Sequence, residues 1–255
     1  MAADRRPVVL CLSGIDPTGA AGLHAEIEVL HGMQVHVVSL ATALTVQDTT
    51  NVSQIMPVPM STLAAQWACL QQDGIRPDAV KVGLVPSAAH AQWIAERLTT
   101  LSCPVVIDPV LRAGGGRPMA AAAWLTPLLA TATVITPNHA EALTLLGRAV
   151  EGCTLARELR VHVGCGAVVV TGGDTHPDAA QVDHAFADGD GAFTLQHPRV
   201  AGRFRGAGCT FAAALTGGMA CGQSPRDALP HALERTRGAL VRGWPLGQGR
   251  WLPGR

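Results

Sequence analysis

Lysine is nearly absent from this chain of 255 residues; Lys81 is the only one. It lies in Ala79-Val80-Lys81-Val82-Gly83-Leu84, outside any Gly-x-x-x-x-Gly-Lys loop, which excludes a Walker-type nucleotide site. A Schiff-base enzyme would have to use Lys81 itself. An excess of either charge is missing too: 19 basic and 19 acidic side chains give a formal net charge of zero, with no block of like sign. Arg226, Arg235, Arg237, Arg242, Arg250 and Arg255 are dispersed along the C-terminal part, which argues for a solvated face and against nucleic acid as partner. No apolar run is long enough to cross a membrane, and residues 4–6 lead directly into a strand without a signal-like segment. The seven cysteines are scattered singly and form no Cys-x-x-Cys pair. That argues against a disulfide framework and fits a reducing cytoplasm. Cys11, Cys69, Cys103 and Cys221 sit in apolar runs and read as small core residues. The ten histidines show no metal-ligand spacing, and the His-Ala-Glu triplets at His24 and His139 lack the Pro-Cys-x-x-Cys partner of a zinc deaminase.

What is present is apolar: 48% hydrophobic against 15% charged residues, enough for one large core. Short β-rich runs at residues 7–13, 35–45, 52–58, 79–84, 104–108, 133–136 and 167–171 alternate with helical patterns. The helices fall at 21–31, 61–73 with Ser61 as N-cap, 88–98 behind Ser87, 120–130, 139 onward and 154–163. Asn138 followed by Glu141 at the third helical position is a capping box. Residues 181–187 and 192–197 have no helix between them and read as an edge hairpin, followed by two C-terminal helices. This alternation predicts one α/β domain over residues 1–255, its mostly parallel sheet covered by helices on both faces.

The stretch Gly206-Ala207-Gly208-Cys209-Thr210-Phe211 is a glycine-rich turn running into a helix. Phe211, Leu215 and Met219 recur at i, i+4 and i+8, which predicts one buried stripe. Gly206 and Gly208 let backbone N–H groups approach a ligand, and the helix start behind them carries partial positive charge. The turn therefore suits a phosphate or a transferring phosphoryl group, and its field should favour the thiolate of Cys209. In a parallel sheet, ligands sit beyond the C-terminal strand ends. Asp16 and Gly19 to Gly22, Gln47, Asp108 and Arg112, Asn138 and Glu141, and Thr171 to Asp174 all follow strands on that rim. A phosphate cradle, two carboxylates able to hold Mg²⁺ through water (Asp108, Glu141) and a proton acceptor (Cys209) are the parts of a phosphoryl transferase.

Ser13-Gly14-Ile15-Asp16-Pro17-Thr18-Gly19-Ala20-Ala21-Gly22-Leu23-His24-Ala25-Glu26 resembles the opening motif of the hydroxymethylpyrimidine/phosphomethylpyrimidine kinases of thiamine biosynthesis. Thr42 to Thr49, Val80 to Leu84, Val106 to Val110, Ile135 to Ala142 and Gly206 to Thr210 follow in that family's order, so the resemblance runs from about residue 8 to 243. It implies a ribokinase-like fold, and ATP and Mg²⁺ as cofactors. The implied activity is phosphorylation of an aminopyrimidine alcohol and then of its monophosphate. By position, Gln47 would bind the pyrimidine, with Asp16, Gly14, Leu84 and Val110 around it and Glu26 where the family has an aspartate. Asn138 and Glu141 would organise Mg²⁺ with Asp108 in support, Gly206, Ala207, Gly208 and Cys209 would form the anion hole, and Cys209 would activate the hydroxyl. Thr171, before Gly172 and Gly173, stands where the family has a lysine for the ATP phosphates. Arg205 replaces a histidine and is a candidate to supply that charge. A pyridoxal or pyridoxine kinase on the same fold, and a non-catalytic pyrimidine-binding paralogue, are the alternative readings. A homodimer is the assembly expected of the fold.

Overall fold

The computed structural model describes residues 5–113 and 116–255. Nine strands form one sheet in the order β3-β2-β1-β4-β5-β6-β7-β8-β9. They are β1 (Val8–Ile15), β2 (His36–Gln47), β3 (Val52–Pro57), β4 (Ala79–Val82), β5 (Val105–Ile107), β6 (Val134–Ile135), β7 (Ala167–Thr171), β8 (Gln181–Ala187) and β9 (Ala192–Pro198). From β2 to β7 every pairing is parallel; β3 at one edge and the β8–β9 hairpin at the other are antiparallel. The central strands are buried on both faces, which is why they read as unbroken runs such as Val8-Val9-Leu10-Cys11-Leu12.

Among the described residues, eight helices cover the sheet: α1 (Gly22–His31), α2 (Met60–Gln72), α3 (Ala88–Leu98), α4 (Ala122–Leu129), α5 (His139–Leu146), α6 (Gly152–Val163), α7 (Ala207–Ala220) and α8 (Pro225–Val241). Two apolar clusters result, one beneath α2 to α6 and the other beneath α1, α7 and α8. Ser87 caps α3 through its side chain, and the Asn138–Glu141 capping box forms in full. Ser61 is not a cap. Helix α2 starts one residue earlier, and the N–H groups of Thr62 and Leu63 turn back to the Pro59 carbonyl. Cys11 is buried as expected, but Cys69 and Cys221 lie exposed at the surface.

Helix α7 departs most from its sequence pattern. Thr210 through Met219 are all buried, so the expected single stripe is a helix enclosed on every side. Small residues permit this: a side chain at Gly217 would run into Met33, and one at Gly218 into Ala228 of α8. The Thr210 and Thr216 hydroxyls are satisfied by carbonyls one turn back, at 2.8 and 2.7 Å. After α8 the chain returns to the rim, with Trp244 bridging to Leu252 and Phe204 to Trp251. Packing thus continues well past residue 243.

Candidate active site

The C-terminal ends of β1, β2, β4, β5, β6 and β7 and the start of α7 face one rim, and the glycine turn sits at its centre. Gly206 has φ +79°, and a Cβ there would overlap the Ala20 carbonyl oxygen of the loop after β1. Only glycine fits that approach. Helix α7 begins with no side-chain cap, which leaves its first N–H groups to an anion. A Cβ at Gly208 would lie 3.9 Å from Asp108 Oδ2, so the turn runs directly above that carboxylate.

Beneath the turn is a buried set of charges. Lys81 Nζ donates to Glu26 Oε1 at 2.6 Å and lies 3.9 Å from Asp108 Oδ2, with Lys81 and Glu26 fully buried. Gly83 makes room for it: a Cβ there would come 2.7 Å from Lys81 Nζ and overlap Ser13 Oγ. Burial works against the Lys81 proton, but Glu26, then Cys209 and Asp108, overcome it and hold the ammonium charged. Lys81 thus proves to be a buried cation beneath the glycine turn, and the signal for it was its isolation inside an apolar strand. Glu26 pairs with Lys81 through Oε1, while its Oε2 has no hydrogen-bond partner.

Burial raises Asp108 above its ordinary value against the pull of Lys81, and the neighbouring Cys209 thiol also favours its charged form. Cys209 itself is pushed up to about 11 by burial, against Lys81 and the Gly22 N–H and with a further push from Asp108 and Glu26. The expectation of a thiolate is therefore reversed, because desolvation outweighs the field of the helix start. Glu141 rises to about 8, by burial and then by Asp108, while its oxygens accept from Leu111 N–H at 3.0 Å and Asn138 N–H at 3.1 Å. Asp108 thus disfavours the charge of Glu141, and Glu26 that of Asp108, leaving two buried carboxylates that burial holds above their ordinary range. A hard divalent cation with its own water shell fits that oxygen set.

Gly14, Leu84, Asp16, Gln47 and Arg205 gather at the ends of β1, β2 and β4. A Cβ at Gly14 would come 2.8 Å from Leu84 Cδ2, so Gly14 and Leu84 pack directly. Val110 follows β5, its N–H turned back to the Asp108 carbonyl at 2.9 Å. Gln47 Nε2 donates to Thr45 Oγ1 at 2.6 Å, and its Oε1 accepts from Arg205 Nη2. Arg205 Nε is 3.5 Å from Asp16 Oδ2. Arg205 therefore stands near the ends of β1 and β2, whereas Thr171 ends β7 four strands beyond β1, about 20 Å away at the usual strand spacing. It does not take over the charge of the family's lysine.

Around Thr171, the backbone N–H bonds the Pro137 carbonyl, and Gly173 has open space where a Cβ would be. Asp174 accepts from the N–H groups of His139 and Ala140, at 3.2 and 3.0 Å, and closes the start of α5. Arg255 joins the site through contacts that sequence spacing could not reveal. Its guanidinium donates to Thr210 Oγ1 (2.9 Å), Gly19 O (3.1 Å), Glu28 Oε2 (3.0 Å) and Ala20 O, tying the loop after β1 to the first turn of α7.

Comparison with known proteins agrees with this geometry. Residues 16–253 match the model of a family described as phosphomethylpyrimidine kinase. A hydroxymethylpyrimidine/phosphomethylpyrimidine kinase of Streptomyces coelicolor is 34% identical over 251 residues, covering 95% of this chain and 92% of that protein. A pyridoxine kinase of Bacillus subtilis is 32% identical, covering 94% and 92%. Among solved structures, an ADP complex of Bacillus subtilis pyridoxal kinase superposes with a TM-score of 0.88 at 29% identity, covering 98% of this chain and 97% of that one. The fold is ribokinase-like. The chain belongs to the phosphomethylpyrimidine kinase family.

Proposed function

We propose that this protein transfers the γ-phosphoryl group of ATP to hydroxymethylpyrimidine and then to the resulting monophosphate, as a step in making thiamine. The observation that carries this reading is the uncapped start of α7 lying directly above Asp108, with Lys81 beneath and Cys209 within the turn. The N–H groups of Gly206, Ala207, Gly208 and Cys209 receive the transferring phosphoryl, where fixed dipoles act at no cost of reorganisation. Lys81 supplies buried positive charge below them. Asp108 and Glu141, with Asn138, would hold Mg²⁺, which would supply charge neutralisation on the phosphates. Thr171 and Gly173 lie along the nucleotide; Gly14, Leu84, Val110 and Asp16 border the acceptor.

Cys209 takes the proton of the attacking hydroxyl. A thiol held at about 11 is protonated at neutral pH, so it can accept a proton only as its own moves on. Asp108, whose carboxylate lies beside the turn and is raised above its ordinary value by burial, is the group proposed to receive it.

The test is ATP consumption with hydroxymethylpyrimidine, its monophosphate and pyridoxal as parallel acceptors. Turnover of the two pyrimidines, with pyridoxal the poorest acceptor, is expected. Turnover of pyridoxal alone would favour the pyridoxal kinase reading, which the Bacillus subtilis relatives support. Ligand binding without any turnover would leave a non-catalytic paralogue. Among the described residues no helix is long and apolar enough to cross a membrane, and we place the protein in the cytoplasm. Leu44 and Val46 on β2, with Met56 paired opposite Leu44 on β3, expose an apolar strip at the sheet edge. We assign that strip to a homodimer interface, to be checked by sedimentation, with a monomer at micromolar concentration as the contrary result.

A further inference from the structure

Arg205 is placed unlike any other cation of the site. It is only 6% exposed, yet its Nε and Nη1 have no hydrogen-bond partner. A buried donor left unmatched costs free energy, and a charged one costs more. The carboxylates around it are largely committed to other donors. Asp16 lies 3.5 Å away, and its carboxylate already accepts from Thr18 N–H (2.9 Å), the Thr18 hydroxyl (2.8 Å) and Ala21 N–H (3.1 Å). Asp48 is occupied by the Thr50 and Asn51 N–H groups at 2.7 and 2.9 Å. Gln47 offers Arg205 only one neutral oxygen. Further positive charge stands close by: Arg250 is held below its ordinary value by burial, then by Arg203 and Arg205.

Two consequences follow for the acceptor pocket. Both ends of the Gln47 amide are anchored, by Thr45 and by Arg205, which fixes its orientation and leaves one N–H and one lone pair for a heterocycle. Beside it lies a buried guanidinium whose Nε and Nη1 are unmatched, on the residue immediately before Gly206. An anionic acceptor at the turn would stand near these donors. Charged donors suit phosphate oxygens better than a neutral hydroxyl.

We propose that Arg205 is a specificity-determining residue that binds the phosphate of the acceptor, making the phosphomonoester the preferred substrate over the neutral alcohol. This rests on the kinase reading given above. It is tested by kcat/KM for hydroxymethylpyrimidine and for its monophosphate, at saturating ATP, in the wild type and two variants. Arg205→Gln is expected to lower the value for the monophosphate about 100-fold, in line with loss of a charged hydrogen-bond pair. The value for the alcohol should stay within about threefold of wild type. Arg205→Lys keeps the charge but loses the separate Nε and Nη1 donors, and should lower the monophosphate-to-alcohol ratio about tenfold. If Arg205→Gln does not fold, the lysine variant alone decides. An unchanged ratio in whichever variants fold, or an equal fall with both substrates, overturns the proposal. If the wild type turns over neither pyrimidine, the kinase reading has failed separately. Calorimetric titration with inorganic phosphate then reads the site by itself: weaker binding in the variant upholds an anion site at Arg205, and equal binding removes it.

Discussion

Helices α5 and α7 both begin on the catalytic rim, and their first turns are built in opposite ways. At α5, Asn138 Oδ1 accepts from Glu141 N–H, Glu141 Oε2 accepts from Asn138 N–H, and Asp174 takes the N–H groups of His139 and Ala140. Side chains satisfy that end completely, and two of the ligating groups are carboxylates. At α7 a left-handed glycine replaces the cap, and no side chain reaches the first N–H groups. The closed start of α5 fixes Glu141 in position. The open start of α7 keeps its donors for something outside the protein. A helix N-terminus becomes an anion site only where its own chain declines to cap it.

The contrast can be broken most severely from below α7. Lys81→Met leaves Glu26 and Asp108 as unpaired buried carboxylates, and should cost about 3–5 kcal/mol. That should appear as a large drop in the thermal midpoint together with loss of turnover. Adding Glu26→Gln to Lys81→Met should restore much of the stability but little of the activity, if Lys81 also serves the turn. Next in size, Cys209→Ala should lower kcat about 100-fold, the lower range for a positioned proton acceptor, with the thermal midpoint nearly unchanged. An unaltered kcat would mean that only the backbone of the turn matters. The smallest effect belongs to α5: Asp174→Ala removes a cap, costing about 1 kcal/mol and a few degrees of thermal midpoint. It should change kcat less than about threefold, and a catalytic loss as large as that of Cys209→Ala would erase the distinction between the two helix starts.

Much of this was legible in the sequence because it depends on local pattern. The apolar runs of β1, β4, β5 and β7, the Ser87 cap, the capping box and the β8–β9 hairpin all follow from neighbours within a few residues. Ser61 misled because a serine near a helix start reads as a cap whether or not the chain begins one residue sooner. The enclosure of α7 could not be read from its stripe, since α8 and the turn after α1 cover the opposite face from far along the chain. The site divides in the same way. The motifs place Asp108, Asn138, Glu141 and the glycine turn on one rim. The pairing of Glu26 with Lys81, the burial that keeps Cys209 protonated, the placement of Arg205 beside Gln47 and the clamp made by Arg255 come from contacts 55 to 236 residues apart or from desolvation. Neither has a local signature.

The central claim is that the open turn of α7 receives the phosphoryl group, and Gly208→Ala tests it most directly. A methyl group at Gly208 meets only Asp108 Oδ2 at 3.9 Å, and alanine is the better helix former by about 1 kcal/mol. The variant should therefore fold with an equal or higher thermal midpoint. Its methyl group would stand between the turn and Asp108, where the transferring group has to lie. The account predicts a fall in kcat of at least about tenfold with stability retained; a stable variant with wild-type kcat would contradict it.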